Sequence, residues 1–205
     1  MLNSKQTLKL GLVADIRQGF AFREKVIEHD AGNAHIVQIK DIRQPEQVEW
    51  GMQLCPEILP KMDWQGKDQA KIVDDCVLLP CRGEYLQAHY VKPKGKPESA
   101  LPIIASSQFL LMTPKKAVLT EYLCWYLNQS QVQQRLRNEG QGTKILMLSI
   151  ANMNDFMIAV PSIETQRYII DLNQLWEQEQ RLTQKLLQNR EQMMQGIFQQ
   201  LLKGQ

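Results

Sequence analysis

"IETQRYIIDLNQLWEQEQRLTQKLLQNREQMMQGIFQQLL", residues 163–202, is the stretch that decides the architecture. It contains no proline, and its only glycine is Gly196. Ile169, Leu172, Leu175, Trp176, Leu182, Leu186, Met193, Ile197 and Leu201 fall at steps of three, four and their sums, which places them on one face of a helix. Uninterrupted, that helix is about 60 Å long, longer than a domain of this size is wide. A stripe of this length is buried only against another long helix. No second such run exists in the sequence, so a partner is the economical inference. Gln174, Gln178, Gln184, Gln188, Gln192 and Gln199 leave the opposite face polar and neutral, either simply solvated or in contact with a further subunit.

The preceding residues have a different character. "AHIVQIKDI" (34–42), "DDCVLLP" (74–80) and "PIIASSQFLLM" (102–112) read as short strands between frequent glycines and prolines. Helix is expected in "TEYLCWYLN" (120–128), with Thr120 as N-cap and Tyr122, Leu123, Tyr126 and Leu127 on one stripe. A second short helix is expected in "SQVQQRLRN" (130–138), capped by Ser130 and ended by Gly140. The fold class is therefore α+β: an irregular β-rich domain with short helices over 1–160, then one long C-terminal coiled-coil helix over 161–205.

Composition is that of an ordered protein, with 43% hydrophobic and 22% charged residues and a formal charge of +2. Bulk charge alone points to no partner. Between Arg82 and Lys144, however, nine basic residues stand against four acidic ones, enough for a basic face if the fold gathers them. Cys55, Cys76, Cys81 and Cys124 form no CxxC pair and His29, His35 and His89 stand apart from them, so zinc-ligand spacing is missing. Free thiols, no signal peptide and no membrane-length apolar run lead to the expectation of a cytoplasmic protein without a membrane partner.

The stretch "GQGTKILMLSI" (140–150) invites a phosphate-loop reading, but the order Gly142-Thr143-Lys144 is wrong for a Walker loop. The residues after Lys144 read as extended rather than as a helix whose N-terminus could hold phosphate. There is no G-x-S-x-G, no clustered nuclease carboxylates and no Gly-rich cofactor loop. The chain reads as a binding protein with no catalytic residue and no metal.

Several segments in order resemble the specificity subunits of type I restriction-modification systems, in a form with one target recognition domain and one conserved helical region. These are "LGLVADIRQGFAF" (10–22), "VQIKDI" (37–42), "DDCVLLPCRGE" (74–84), "ASSQFLLM" (105–112), "YLCWYLNQ" (122–129) and "GQGTKILMLSIANMNDFMIAVPSIETQ" (140–166), followed by the long helix. The resemblance implies a non-catalytic subunit that reads double-stranded DNA and binds adenine methyltransferase (modification) subunits, with a motor-nuclease subunit joining for restriction. S-adenosylmethionine enters only through the methyltransferase, and no cofactor is bound directly. Full-length members carry two recognition domains and two helical regions. One of each fits a homodimer with antiparallel helices and a bipartite inverted-repeat target, pairing with another half-subunit, or a partial chain. The helix positions expected to meet the partner are Leu172, Leu175, Trp176, Leu182, Leu186, Met193, Ile197 and Leu201.

The resemblance carries no base-reading residues, so DNA candidates come from side-chain chemistry. Lysine and arginine beside glycine turns suit phosphate: Arg82, Lys92, Lys94, Lys96 and Lys144. Arginine and glutamine suit base edges: Arg17, Gln18, Arg23, Gln38, Arg43 and Gln108. For each, a plain surface role competes. Phe20 and Phe22 read as core first and as packing for a DNA-facing loop second. Two rival functions stay open: a coiled-coil adaptor of a defence complex without direct DNA binding, and an enzyme with an unrecognised nuclease site.

Overall fold

The computed structural model describes residues 6–43, 52–83, 85–93, 100–139 and 147–204. Lys94, Lys96, Gly140, Gly142 and Lys144 lie outside them. The chain divides into two units, Met1–Ile170 and Asp171–Gln205.

Among the described residues, the first unit is a mixed α/β region with three sheets. Strands β1 (Gln6–Lys9) and β10 (Met157–Val160) form an antiparallel pair. Strands β2 (Ala14–Gln18), β9 (Phe109–Pro114), β6 (Cys76–Pro80) and β7 (His89–Val91) lie side by side in that order, all antiparallel. The third sheet has the order β4 (Lys61–Met62), β3 (Ala34–Val37), β8 (Ile103–Ala105) and β5 (Lys71–Ile72), with β3 and β8 parallel.

The apolar run in β6 is explained by burial on both faces. Val77 and Leu79 join Leu110 and Met112 in one core, together with Tyr122, Leu123 and Leu127. Cys76 and Leu78 join Phe109 and Leu111 in another, with Val37, Ile42 and Ile103 of the third sheet's side. Alternate residues of one strand thus feed two cores, because successive side chains point to opposite faces. The run 102–112, read as one strand-rich stretch, is split at Ser106–Ser107–Gln108 into β8 and β9, which belong to different sheets. Likewise 34–42 is strand only to Val37, after which the Gln38 N–H donates to Asp41 Oδ2 at 2.7 Å and a 3-10 turn begins.

The expected helices form as α2 (Thr120–Leu127) and α3 (Ser130–Glu139). The expected caps are corrected: Thr120 and Ser130 are first helical residues, and the N-cap of α2 is Leu119, which offers no side-chain oxygen. A second correction concerns 147–155. Instead of an extended run throughout, Ser149 caps α4 (Ile150–Asp155), its Oγ accepting the Asn152 N–H at 3.1 Å. A four-residue helix, α1 (Leu10–Val13), links β1 to β2.

The long helix α5 spans Ile163–Lys203, 41 residues. Its one buried residue among those described is Gln166. The Gln166 Oε1 accepts the Leu119 N–H at 2.9 Å, and Nε2 donates to the carbonyls of Ala117 and Pro161, each at 2.9 Å. The missing cap of α2 is thus supplied from α5. In the second unit the apolar stripe is exposed, including Leu172, Leu175, Trp176, Leu182, Leu186, Met193, Ile197 and Leu201. No helix among the described residues is long and apolar enough to cross a membrane.

Candidate nucleic-acid interface

Topology brings several chemistry-bearing residues to one place. β9 is antiparallel to both β2 and β6, so its start lies beside the ends of those two strands. β8 ends at the same turn, and β3 runs parallel to β8. Four strand ends and one strand start therefore surround Ser106–Ser107–Gln108. The backbone stitches them tightly. Gly19 N–H donates to the Phe109 carbonyl (3.0 Å), Phe20 N–H to Ala105 (2.7 Å), Ser107 N–H to Phe20 (2.8 Å), Cys81 N–H to Gln108 (2.8 Å) and Ser106 N–H to Val37 (3.0 Å). Glycine is required at position 19, because a Cβ there would stand 2.1 Å from the Ser106 carbonyl oxygen.

This turn gathers Gln18, Gln38, Arg82 and Gln108. Gln18 is exposed, and its Nε2 donates to the Ser107 carbonyl at 2.9 Å. Gln38 is half-buried, and its Nε2 donates to Glu28 Oε1 at 3.2 Å, the carboxylate that also pairs with Lys40. Arg82 is exposed, bridged through its backbone to Met147 and followed by Gly83 at φ +85°. Gln108 is exposed, with the Ser106 hydroxyl at 3.4 Å from its Oε1. The backbone of Arg43 ends the 3-10 turn that begins after Gln38.

The remaining candidates sit elsewhere or are engaged. The Arg17 guanidinium donates to the Lys71 carbonyl at 3.0 Å and is half-buried. Lys92 lies at the opposite end of the β6–β7 pair, ion-paired with Glu121 and 5.9 Å from the Tyr90 ring centroid. Arg23 is exposed and makes no hydrogen bond or ion pair among the described residues.

Beside the turn, Phe20, Phe22 and Trp64 pack edge to face, with Phe20 at 4.9 Å from Phe22 and 4.8 Å from Trp64. All three rings are half-buried and line a cleft of about 550 Å³. Sequence reading missed Trp64 here. Its neighbour Gly66 marks a turn, but nothing local ties residue 64 to residue 20. In space Asn33 anchors the Trp64 backbone: its side chain accepts the Trp64 N–H at 2.6 Å and donates to the Trp64 carbonyl at 3.2 Å.

Burial pushes the Asp41 carboxyl and the Cys81 thiol up, against the opposing pulls of the Gln38 amide and of Arg82 respectively. Burial lifts Cys76 to about 12. No group of His, Cys, Asp and Glu among the described residues could hold a metal ion. The turn offers amides, hydroxyls and a guanidinium on a rigid frame, which is equipment for hydrogen bonding.

The chain matches the family model for the type I restriction modification DNA specificity domain over residues 3–189, and it belongs to that family. A search of curated proteins found no match. Among solved structures it is similar to a chain from a study of complex assembly and conformational transition of the type I R-M system, with TM-score 0.66, 14% identity, and 94% of this chain and 43% of that one covered. It is similar to the HsdS subunit from Thermoanaerobacter tengcongensis, with TM-score 0.57, 14% identity, and coverage of 85% and 37%. The S subunit of the type I restriction-modification system from M. genitalium gives TM-score 0.52, 11% identity, and coverage of 92% and 43%. These likenesses are of fold. This chain spans less than half the length of each of those chains.

Proposed function

We propose that the protein is the DNA-recognition subunit of a type I restriction-modification complex. In this reading residues 1–160 read a DNA half-site and residues 161–205 form the helix for dimerisation and for binding methyltransferase subunits. The chain itself catalyses nothing. It directs an adenine-N6 methyltransferase, which brings its own S-adenosylmethionine, and a motor-nuclease subunit joins when the system restricts. Two copies paired through α5 present two identical domains, so the target is a bipartite inverted repeat.

Family membership over residues 3–189 gives the class. The observation that carries the site is the meeting of Gln18, Arg82 and Gln108 around one turn held by five main-chain hydrogen bonds. Glutamine bonds bidentately to adenine edges, arginine beside a glycine turn suits phosphate, and a rigid frame keeps both aimed. Lys92, Lys94, Lys96 and Lys144 are phosphate candidates away from this turn or outside the described residues.

The test has two arms. Modified adenines are mapped across a genome with and without the chain, its methyltransferase being present; methylation at one inverted-repeat sequence only when the chain is present is the expected result. Arg82→Ala in the assembled complex should then weaken DNA binding and lower the slope of log affinity against log salt by about one. An adaptor without DNA contact predicts methylation indifferent to Arg82 and Gln108. Metal-dependent cleavage by the isolated chain would establish the nuclease reading instead.

A further inference from the structure

Gln18 and Gln38, beside the Ser106–Gln108 turn, are both tethered by their amide nitrogen. Gln18 Nε2 donates to the Ser107 carbonyl at 2.9 Å, and Gln38 Nε2 donates to Glu28 Oε1 at 3.2 Å. Neither partner leaves a choice of orientation. A main-chain carbonyl only accepts, and so does a carboxylate paired with lysine, as Glu28 is with Lys40. Each amide must therefore turn its NH2 group to the tether and its Oε1 away from it. Neither Oε1 has a hydrogen-bond partner among the described residues. Gln108 is not fixed in this way, because its Oε1 makes only a long contact, 3.4 Å, with a Ser106 hydroxyl that can donate or accept.

Both glutamines flank one strip of backbone. Ser106 N–H donates to the Val37 carbonyl on one side, and Ser107 N–H donates to the Phe20 carbonyl on the other. Gln38 follows Val37, and Gln18 precedes Gly19 and Phe20. Segments on either side of a third are about 10 Å apart. That is about three steps along a DNA strand at about 3.4 Å each, so both side chains fit within one half-site.

An outward carbonyl oxygen discriminates between bases by its chemistry. On the major-groove edge, adenine and cytosine carry an amino group that donates, N6 and N4 respectively. Guanine offers O6 and N7 there and thymine O4, all acceptors, which would set lone pair against lone pair. Every base pair holds one such amino group, so the choice is of the strand on which it lies: A·T over T·A, or C·G over G·C. A glutamine free to turn over makes no such choice, since it can present either end. We propose that Gln18 and Gln38 are specificity-determining residues that read amino-bearing bases, adenine or cytosine, and that Glu28 is the positioning residue that holds Gln38 in this sense. The proposal rests on the DNA-recognition reading above and adds to it the chemical class of base.

The chain is assembled with its methyltransferase partner, and selection from randomised duplexes gives the target. A complex that selects no sequence removes the DNA-recognition reading and this proposal with it. Gln18→Ala and Gln38→Ala should each relax one position of the target by about tenfold. The amino group at that position is then deleted by placing purine for adenine, or 2-pyrimidinone for cytosine. Wild-type affinity should fall about tenfold, and the matching alanine variant should show little further loss, because both changes remove one contact. Alanine variants that relax no position, or losses that simply multiply, overturn the proposal and leave DNA recognition standing. Glu28→Gln, at an exposed residue, frees Gln38 to turn over. The preference for the read pair over its inverted pair should then fall about tenfold at the Gln38 position and stay unchanged at the Gln18 position. This readout is a ratio, so the effect of the lost negative charge cancels. An unchanged ratio at the Gln38 position denies Glu28 the positioning role.

Discussion

Gln166→Met is the most direct test of how the first turns of α5 are held within the first unit. Methionine keeps the length and much of the shape of glutamine, so little cavity forms. The substitution removes three hydrogen bonds of 2.9 Å, to the Leu119 N–H and to the Ala117 and Pro161 carbonyls, made by a residue at 0% exposure. A net hydrogen bond is worth about 1 kcal/mol, and a stranded buried polar group costs about 1–3 kcal/mol. The Leu119 N–H is the critical one, because it stands at the N-cap of α2, where no side chain of α2 itself replaces the lost acceptor. Allowing for water reaching one carbonyl, the loss should be about 2–4 kcal/mol. With a slope of about 2 kcal/mol per M, the urea midpoint falls by about 1–2 M. Gln166→Glu keeps the acceptor for Leu119 but turns a carboxylate toward two carbonyls. It should be destabilising at neutral pH and partly relieved in acid, where protonation restores a donor. Urea titrations of matched protein concentrations, followed by far-UV dichroism, measure this. A loss below about 0.5 kcal/mol for Gln166→Met would refute the view that this amide closes the helix junction.

Two more outcomes are expected from the same structure. The His89 ring is buried on β7, and burial lowers its pKa to about 4, below the ordinary 6.5. The unfolded chain takes up the proton first, so the stability held above pH 6.5 is lost as pH falls from 6.5 toward 4. The loss is about 2 kcal/mol by pH 5, and His89→Phe should flatten that slope in urea midpoints taken at pH 7 and pH 5. Leu182→Glu with Leu186→Glu places charge in the central seam, at residues exposed in the single chain. A sizing column should show monomer with unchanged dichroism, and a surviving dimer would contradict pairing through this stripe.

Much of the architecture could be read from local pattern. The steps of three and four without proline over 163–202 match a helix of 41 residues, because helical periodicity is a property of neighbouring residues. The apolar run at 76–80 is a strand for the same local reason. The split of 102–112 was not legible, since "IIASSQFLL" is apolar on either side and nothing local says that its halves enter different sheets. Nor was the meeting of Gln18, Arg82 and Gln108 legible. They are far apart in sequence, and they converge only because β9 is antiparallel to both of its neighbours.

The sequence by itself determined the class of protein, the β-rich start, the short helices and the long helix with its unpartnered stripe. All of these rest on composition, periodicity and motif order, which are carried by residues close together in the chain. Only the tertiary structure decided the rest. It pairs residues 6–9 with 157–160 in one small sheet. It lets Gln166 cap a helix that starts 46 residues earlier at Thr120. It sets Trp64 against Phe20. Such contacts leave no trace in local spacing, because a buried donor or ring is satisfied by whichever residue the topology delivers.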